Sequence, residues 1–420
     1  MKSFFLKVSL LAGLSLSGFC SVFAQSKVGG VLNTYLKVTS KADLIKDGVY
    51  IVASPIKDTT LIAVMAGPNK PDKSTYRYYI KLPSDSLRDE ILYMNSTFIS
   101  TTKENSKSLA SEIYIYNNAL PPLNPKLYFF DPIYGLSLKA SNSDNTKGRD
   151  LTLYPFLDGH SYFDIQYEDN GQSYINFNKN NTLTNYSRLI FDDKFTCGRY
   201  WSDNNYAQLY RKVIPIKMTS AGYSTLCADY AFKMPEGLTG GIVKSDGGTN
   251  LIIDYCYPTG SIVPAHTPII LKGAENTYNA SVMSVEGNTY EGNYLYATVD
   301  TIGYTFVDDG KGSEYKYYKL AKYNNEVGFW WNAEGGGPFM NGKNKAYLAL
   351  KRNSGVADVK GFTLEGLEQT GISNATTQEN ATSTAVYDLN GKLMPQTRTR
   401  SLPAGVYIIN GKVTILKNNR

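Results

Sequence analysis

The sequence predicts an all-β protein: two consecutive β-barrel or β-sandwich domains followed by a small C-terminal β-hairpin domain. Three observations carry this. Beyond the first two dozen residues helical periodicity is almost absent, and apolar residues alternate with polar ones or cluster in short runs. Runs such as EIYIYNN, KLYFFDPIYGLSLKAS, SYFDIQY, QSYINFN and YAQLYRK are punctuated by Gly, Asn, Asp and Pro, at the spacing of sandwich or barrel strands. Tyrosine occurs 34 times, and a side chain with an apolar body and a polar tip suits strands with one wet face. With 420 residues, 42% of them hydrophobic, the chain has material for two or three cored domains.

Residues 1–24 have the pattern of a signal peptide. Lys2 and Lys7 supply a positive start, Val8 to Phe23 an apolar core, and Val22-Phe23-Ala24 a small-residue cleavage site before Gln25. Cys20 follows Phe19 rather than the small residue that precedes a lipidated cysteine. No later stretch of 18 apolar residues occurs, so no transmembrane segment is expected. The leader pattern leads to the expectation of an exported protein. Without Lys2 and Lys7 the formal charge of +6 falls to +4. Lysines are interleaved with acids, and no run of five or six like charges occurs, which argues against a nucleic-acid partner.

The first domain is expected over 25–212. It begins with a strand in Tyr35–Ser54, a turn at Lys46-Asp47-Gly48 and a second strand through Val49–Ala53. The second, over 213–368, has more Gly and Pro punctuation. Ile262–Gly273 (IVPAHTPIILKG) predicts a turn feeding a buried strand, Asn344–Lys351 a closing strand, and VKGFTLEGL a last one. A polar linker, 369–384, is rich in Thr, Asn, Ser and Glu. The final stretch, 385–420, carries AVYDL-NG-KLM and VYII-NG-KVTIL. Asn and Gly best tolerate the two positive φ angles of a type I′ turn, so two hairpins are expected, joined through Pro403-Ala404-Gly405.

Outside the leader the cysteines are Cys197, Cys227 and Cys256, too few for a disulfide scaffold. Cys227 and Cys256, in the strand-like runs YSTLCADY and IIDYCYP of one domain, are the candidate pair; unpaired, all three are small buried hydrophobes. With no CxxC and two histidines, a zinc site is not expected, and no cofactor is nominated.

The tail resembles the C-terminal sorting domain of secreted Bacteroidetes proteins, the address read by the type IX (Por) secretion system. The matching residues are Gly371-Ile372, Val386 with Tyr387-Asp388-Leu389-Asn390-Gly391-Lys392, Gly405-Val406-Tyr407-Ile408-Ile409, the Asn410-Gly411 bend, and Lys412-Val413 through Lys417. The resemblance implies secretion machinery as a partner and a location that is extracellular or on the outer-membrane surface, or the periplasm if the tail is not recognised. Ser220–Leu238, IVPAHTPIILKG and NKAYLAL resemble a β module of such secreted proteins. DGVYIVAS together with FTCGRY and YAQLYRK is similar to another. By the same resemblance, Asp58-Thr59-Thr60 (the loosest), Asp85-Ser86-Leu87 and Asp300-Thr301-Ile302 look like O-glycosylation acceptors of such proteins, which implies Thr59, Ser86 and Thr301 as candidates.

Chemistry is sparse. The bases for nucleophilic hydrolysis are His160 and His266, both beside turn residues, and no GxSxG, HExxH or GxxxxGK[ST] occurs. Acids such as Asp192-Asp193 and Asp308-Asp309 sit in turn-like contexts that use them for backbone geometry. The best binding signal is Gly328–Phe339. Adjacent tryptophans on a strand point to opposite faces, so only one of Trp330 and Trp331 can enter the core; the other is the candidate flat platform for a sugar ring or a partner, the alternative being that it packs against the neighbouring domain or the sheet edge. Tyr200-Trp201 is a weaker candidate. The expected function is a noncatalytic secreted or surface β-modular protein that binds glycan or protein. The alternatives are a secreted carboxylate-dependent glycoside hydrolase and a structural surface-layer or matrix component.

Overall fold

The computed structural model describes residues 31–70, 76–118, 126–140, 151–154, 162–169, 172–178, 188–198, 205–245, 251–297, 304–306, 314–352, 359–364, 386–388, 405–409 and 412–416. The leader, the 369–384 linker, His160, Tyr200, Trp201 and Thr301 lie outside them. The protein is all-β: strands dominate and no described helix reaches seven residues. No described helix is long and apolar enough to cross a membrane, which says nothing of strands. The chain divides into two compact units, Met1–Glu368 and Gln369–Arg420.

In the first unit, alternation sets which core each strand feeds. Along Val49–Pro55, Tyr50 and Val52 enter one cluster with Phe129, Phe163 and Phe195, while Ile51 and Ala53 enter another with Tyr35, Val64, Leu92 and Tyr210. The strand is therefore covered on both sides, and near-continuous apolar sequence is what such a position requires. Phe129 and Phe163 stack with centroids 4.0 Å apart; burying each such side chain stabilises the fold by about 1.5–3 kcal/mol. The turn before it forms at Lys46-Asp47-Gly48, with Asp47 at φ 60°. However, Leu32–Lys37 and Val49–Pro55 do not pair with each other; both flank the long strand Gln208–Met218.

That long strand joins two sets of partners. Gln208 to Arg211 pair with Val49–Pro55, and Tyr210 to Val213 pair with Leu32–Lys37. From Val213 to Met218 the partner becomes Asn276–Val282. The chain thus passes residue 212 inside one unbroken strand. Lys212 is buried there, its Nζ 2.8 Å from Glu112 and 3.7 Å from the centre of the Tyr230 ring.

A buried ion pair fastens the first set of strands. Arg77 Nη2 lies 2.6 Å from Asp131 Oδ2, with both side chains out of contact with solvent. Arg77 also donates to Ala66 O at 2.7 Å and to Ser111 Oγ at 3.0 Å. Asp131 Oδ1 accepts from the N–H groups of Ile133 and Tyr134.

Beyond Val213 a four-stranded sheet runs in the order Tyr223–Leu226, Ile269–Gly273, Leu238–Ser245, Leu251–Tyr257. Its Leu238, Ile242, Ile269 and Leu271 pack on Ile216, Phe232 and Ala280; its Val243, Ile253 and Ile270 pack on Leu295, Tyr318, Phe329 and Leu348 of a five-stranded sheet. The latter runs Leu295–Ala297, Ala346–Lys351, Tyr315–Tyr323, Glu326–Trp330, Gly361–Thr363. Ala346–Lys351, expected as a closing strand, is interior in this sheet.

The nominated Cys227–Cys256 disulfide is corrected: the two cysteines form no disulfide. Cys227 follows one edge strand of the four-stranded sheet and Cys256 lies on the opposite edge strand. Three inter-strand steps of about 4.8 Å separate them by about 14 Å, twice the Cα reach of a disulfide.

In the second unit, Gly405–Ile409 pairs antiparallel with both Val386–Asp388 and Lys412–Leu416. Ile409 is opposite Lys412, which leaves two residues between those strands.

Candidate functional site

The strand Tyr315–Tyr323 has a period of two that assigns its residues to two faces. Tyr318 and Leu320 point into the core between the sheets. Tyr315, Tyr317, Lys319, Ala321 and Tyr323 take the other face. Register extends that face across the sheet: Lys319 is opposite Trp330, Ala321 opposite Gly328, and Tyr323 opposite Glu326. Trp330 is in turn opposite Gly361, while Tyr296 stands opposite Tyr347 at the other edge. The outer face is therefore an aromatic surface carrying a lysine. Phe339 closes its middle, packing edge-on to Tyr347 with centroids 6.0 Å apart and sitting in one buried cluster with Tyr317. The ends stay open: Tyr296 is 41% and Tyr323 60% exposed.

Trp330 sits at the Tyr323 end, half-buried, and two glycines fix its posture. A Cβ placed on Gly361 would meet its Cε3 at 2.0 Å, and one on Gly328 would meet its Cε2 and Nε1 at 3.0 Å. Atoms from both rings of the indole thus lie on glycine backbone, so the ring lies down on the sheet. Its opposite face is the one turned outward, beside the Tyr323 ring at 5.5 Å and 50°. Any side chain at 361 would abolish this seat.

Trp331 takes the other role. It packs against the Phe329 core with Tyr318 at 6.4 Å, and Lys316 Nζ stands 4.9 Å from its ring centre. Of the two nominated platform residues, the structure places Trp330 on the outer face and commits Trp331 to the core side. Both indole N–H groups are buried without an acceptor among the described residues, at a cost of about 1–3 kcal/mol each.

The sequence nominated the tryptophans but not Tyr323, Gly328 or Gly361. The alternation of YKYYKLAKY was the signal for Tyr323. Gly361 had none, because its role depends on the register of a strand some thirty residues away.

The remaining nominated residues are dispersed. Thr59 is exposed, its hydroxyl donating to Ile56 O and accepting from Leu61 N in a tight turn. Ser86, by contrast, is 3% exposed. Of the tail residues, Tyr387, Asp388, Gly405 and Tyr407 are on the paired strands; Asn390, Gly391, Asn410, Gly411 and Lys417 lie outside the described residues. His266 is exposed at a turn with φ 56°, its N–H bonded to Ala228 O. Among the described residues no three His, Cys, Asp or Glu side chains group to hold a metal.

No protein-family model matches the chain, and no curated protein sequence matches it.

Proposed function

We propose that this is a noncatalytic secreted or surface protein whose two β-barrel or β-sandwich modules present a glycan-binding face, with a C-terminal hairpin domain of the sorting type addressing it to a type IX-like export machinery. The observation that carries the binding role is the indole of Trp330, laid on Gly328 and Gly361 with Tyr323 beside it. A flat aromatic held by backbone rather than by its own rotamer loses little entropy on binding, and its face suits the apolar C–H side of a sugar ring. Lys319 across the strand pair adds a hydrogen-bond donor for ring hydroxyls. The export role rests on the leader-like first 24 residues and on the resemblance of Tyr387-Asp388, Asn390-Gly391 and Gly405 to Lys417 to sorting domains.

The test is a glycan array probed with the full chain and with Trp330→Ala. The expected result is a set of host or dietary glycans bound by the first and lost by the second. Silence of the wild type across the array, or identical profiles for both proteins, would overturn the binding role.

A further inference from the structure

A separate concavity of about 350 Å³ opens in the first set of strands, lined by Tyr210, Lys37, Glu90, Gln208, Tyr206 and Gln172 among others. This is at the small end of the roughly 300–1,000 Å³ of ligand sites. Tyr210 lines the cavity and is 2% exposed; its hydroxyl feels the Glu90 carboxylate and takes no hydrogen bond from a described residue. Burial, and after it the Glu90 carboxylate, push that hydroxyl well above its ordinary pKa, so it stays a donor. The hydroxyl is not one of the sealed, unpartnered atoms of the interior, so it is open to the cavity and available to a ligand.

The rest of the lining is held in place. Gln208 is clamped by Ser173: its amide N donates to Ser173 O at 2.7 Å and its Oε1 accepts from Ser173 N at 3.2 Å. Tyr206 packs edge-on to Tyr174 at 4.7 Å, with the Arg188 guanidinium over both rings. Lys37 is opposite Tyr210 in the strand register, and its Nζ lies 3.7 Å from Glu90 Oε1. Glu90 comes from the two-residue turn Asp89-Glu90, whose φ angles are 49° and 65°. That conformation favours Asn-Gly; a glutamate there spends turn stability to place a carboxylate at the cavity.

One ammonium and one carboxylate facing each other leave no net charge, which selects against ions. An aromatic ring, amides, a carboxylate, an ammonium and an unengaged hydroxyl together match a neutral, hydroxyl-rich ring with one apolar face. We propose that this cavity binds a single pyranose residue, with Tyr210 donating to a ring hydroxyl and Glu90 accepting from its neighbours. The site is independent of the Trp330 face.

Saturation-transfer NMR on the full chain, with the methyl glycosides of glucose, galactose, mannose and N-acetylglucosamine, tests it. At least one should saturate at about millimolar concentration. Tyr210→Phe should weaken it by about tenfold while melting no lower than the wild type, because the lost hydroxyl bonds to none of the described residues. Glu90→Gly should weaken binding yet raise the melting temperature, by relaxing the turn. Because the Trp330 face is also proposed to take sugars, both variants are compared again in a Trp330→Ala background, where the Tyr210-dependent signal should persist. The proposal is overturned if no glycoside saturates, if Tyr210→Phe binds like wild type, if Trp330→Ala abolishes the signal, or if free glycine displaces the sugar from the site.

Discussion

Replacing Asp131 by Asn removes one charge from the buried pair with Arg77 and little else. The two side chains are isosteric, and the amide oxygen can still accept from Ile133 and Tyr134, which Oδ1 does at 3.0 and 3.4 Å. Arg77 keeps Ala66 O and Ser111 Oγ, but its charge, 1% exposed, loses its counter-ion, and Nη1 already lacks an acceptor among the described residues. Breaking a buried pair in this way costs about 3–5 kcal/mol; the two neutral acceptors that remain place the loss near 3 kcal/mol. Urea unfolding of the full chain, followed by far-UV circular dichroism, should show a lower midpoint at unchanged slope. Adding Arg77→Met removes the stranded charge, so the double variant should lose less than the sum of the singles. An Asp131→Asn loss under about 1 kcal/mol, or strict additivity, would show that water reaches the pair and refute the reasoning.

Three further outcomes are expected. Gly361→Ala puts a methyl group where Trp330 Cε3 lies, 2.0 Å from the ideal Cβ; it should cost about 1–3 kcal/mol and red-shift the tryptophan emission as the indole is lifted from its seat. Burial, with Asp229 second, pushes the Cys227 thiol up to about 12, and burial, with Asp254 second, pushes Cys256 up to about 11. Both thiols should react slowly with Ellman's reagent at pH 8 until the protein is unfolded. Because the folded values lie above the unfolded one, their contribution is whole below about pH 8.5 and is lost as pH rises toward 11–12; chemical denaturation between pH 8 and 11 reads that loss. Truncation after Asn380 leaves the Met1–Glu368 unit and should leave its melting unchanged while abolishing surface delivery; cell fractionation showing equal display would reject the sorting role.

The sequence carried what local pattern can carry. Alternation located the strands around Val49, Ile113, Tyr162, Ser173 and Ile269, and it set Trp330 and Trp331 on opposite faces. The turn at Asp47 followed from its Gly48 neighbour. Pairing was not legible, because partners are chosen by packing across long separations: Val49–Pro55 chose Gln208–Arg211 over its neighbour Leu32–Lys37. For the same reason Cys227 and Cys256, close in sequence pattern, ended on opposite edges of one sheet. The glycine seat under Trp330 depends on a register that no single segment encodes. The Tyr210 cavity was invisible because a buried tyrosine on a strand looks, in sequence, like any other core residue.

The most direct measurement for the Trp330 face uses the full chain with Trp201→Phe and Trp331→Phe, so that Trp330 is the lone indole. Its emission is followed with acrylamide while a glycan that the array identifies is titrated in. The expected result is a saturable emission change together with protection from quenching, as a sugar ring covers the outward face. Quenching that stays constant at saturating glycan would place the ligand elsewhere and contradict the role assigned to Trp330.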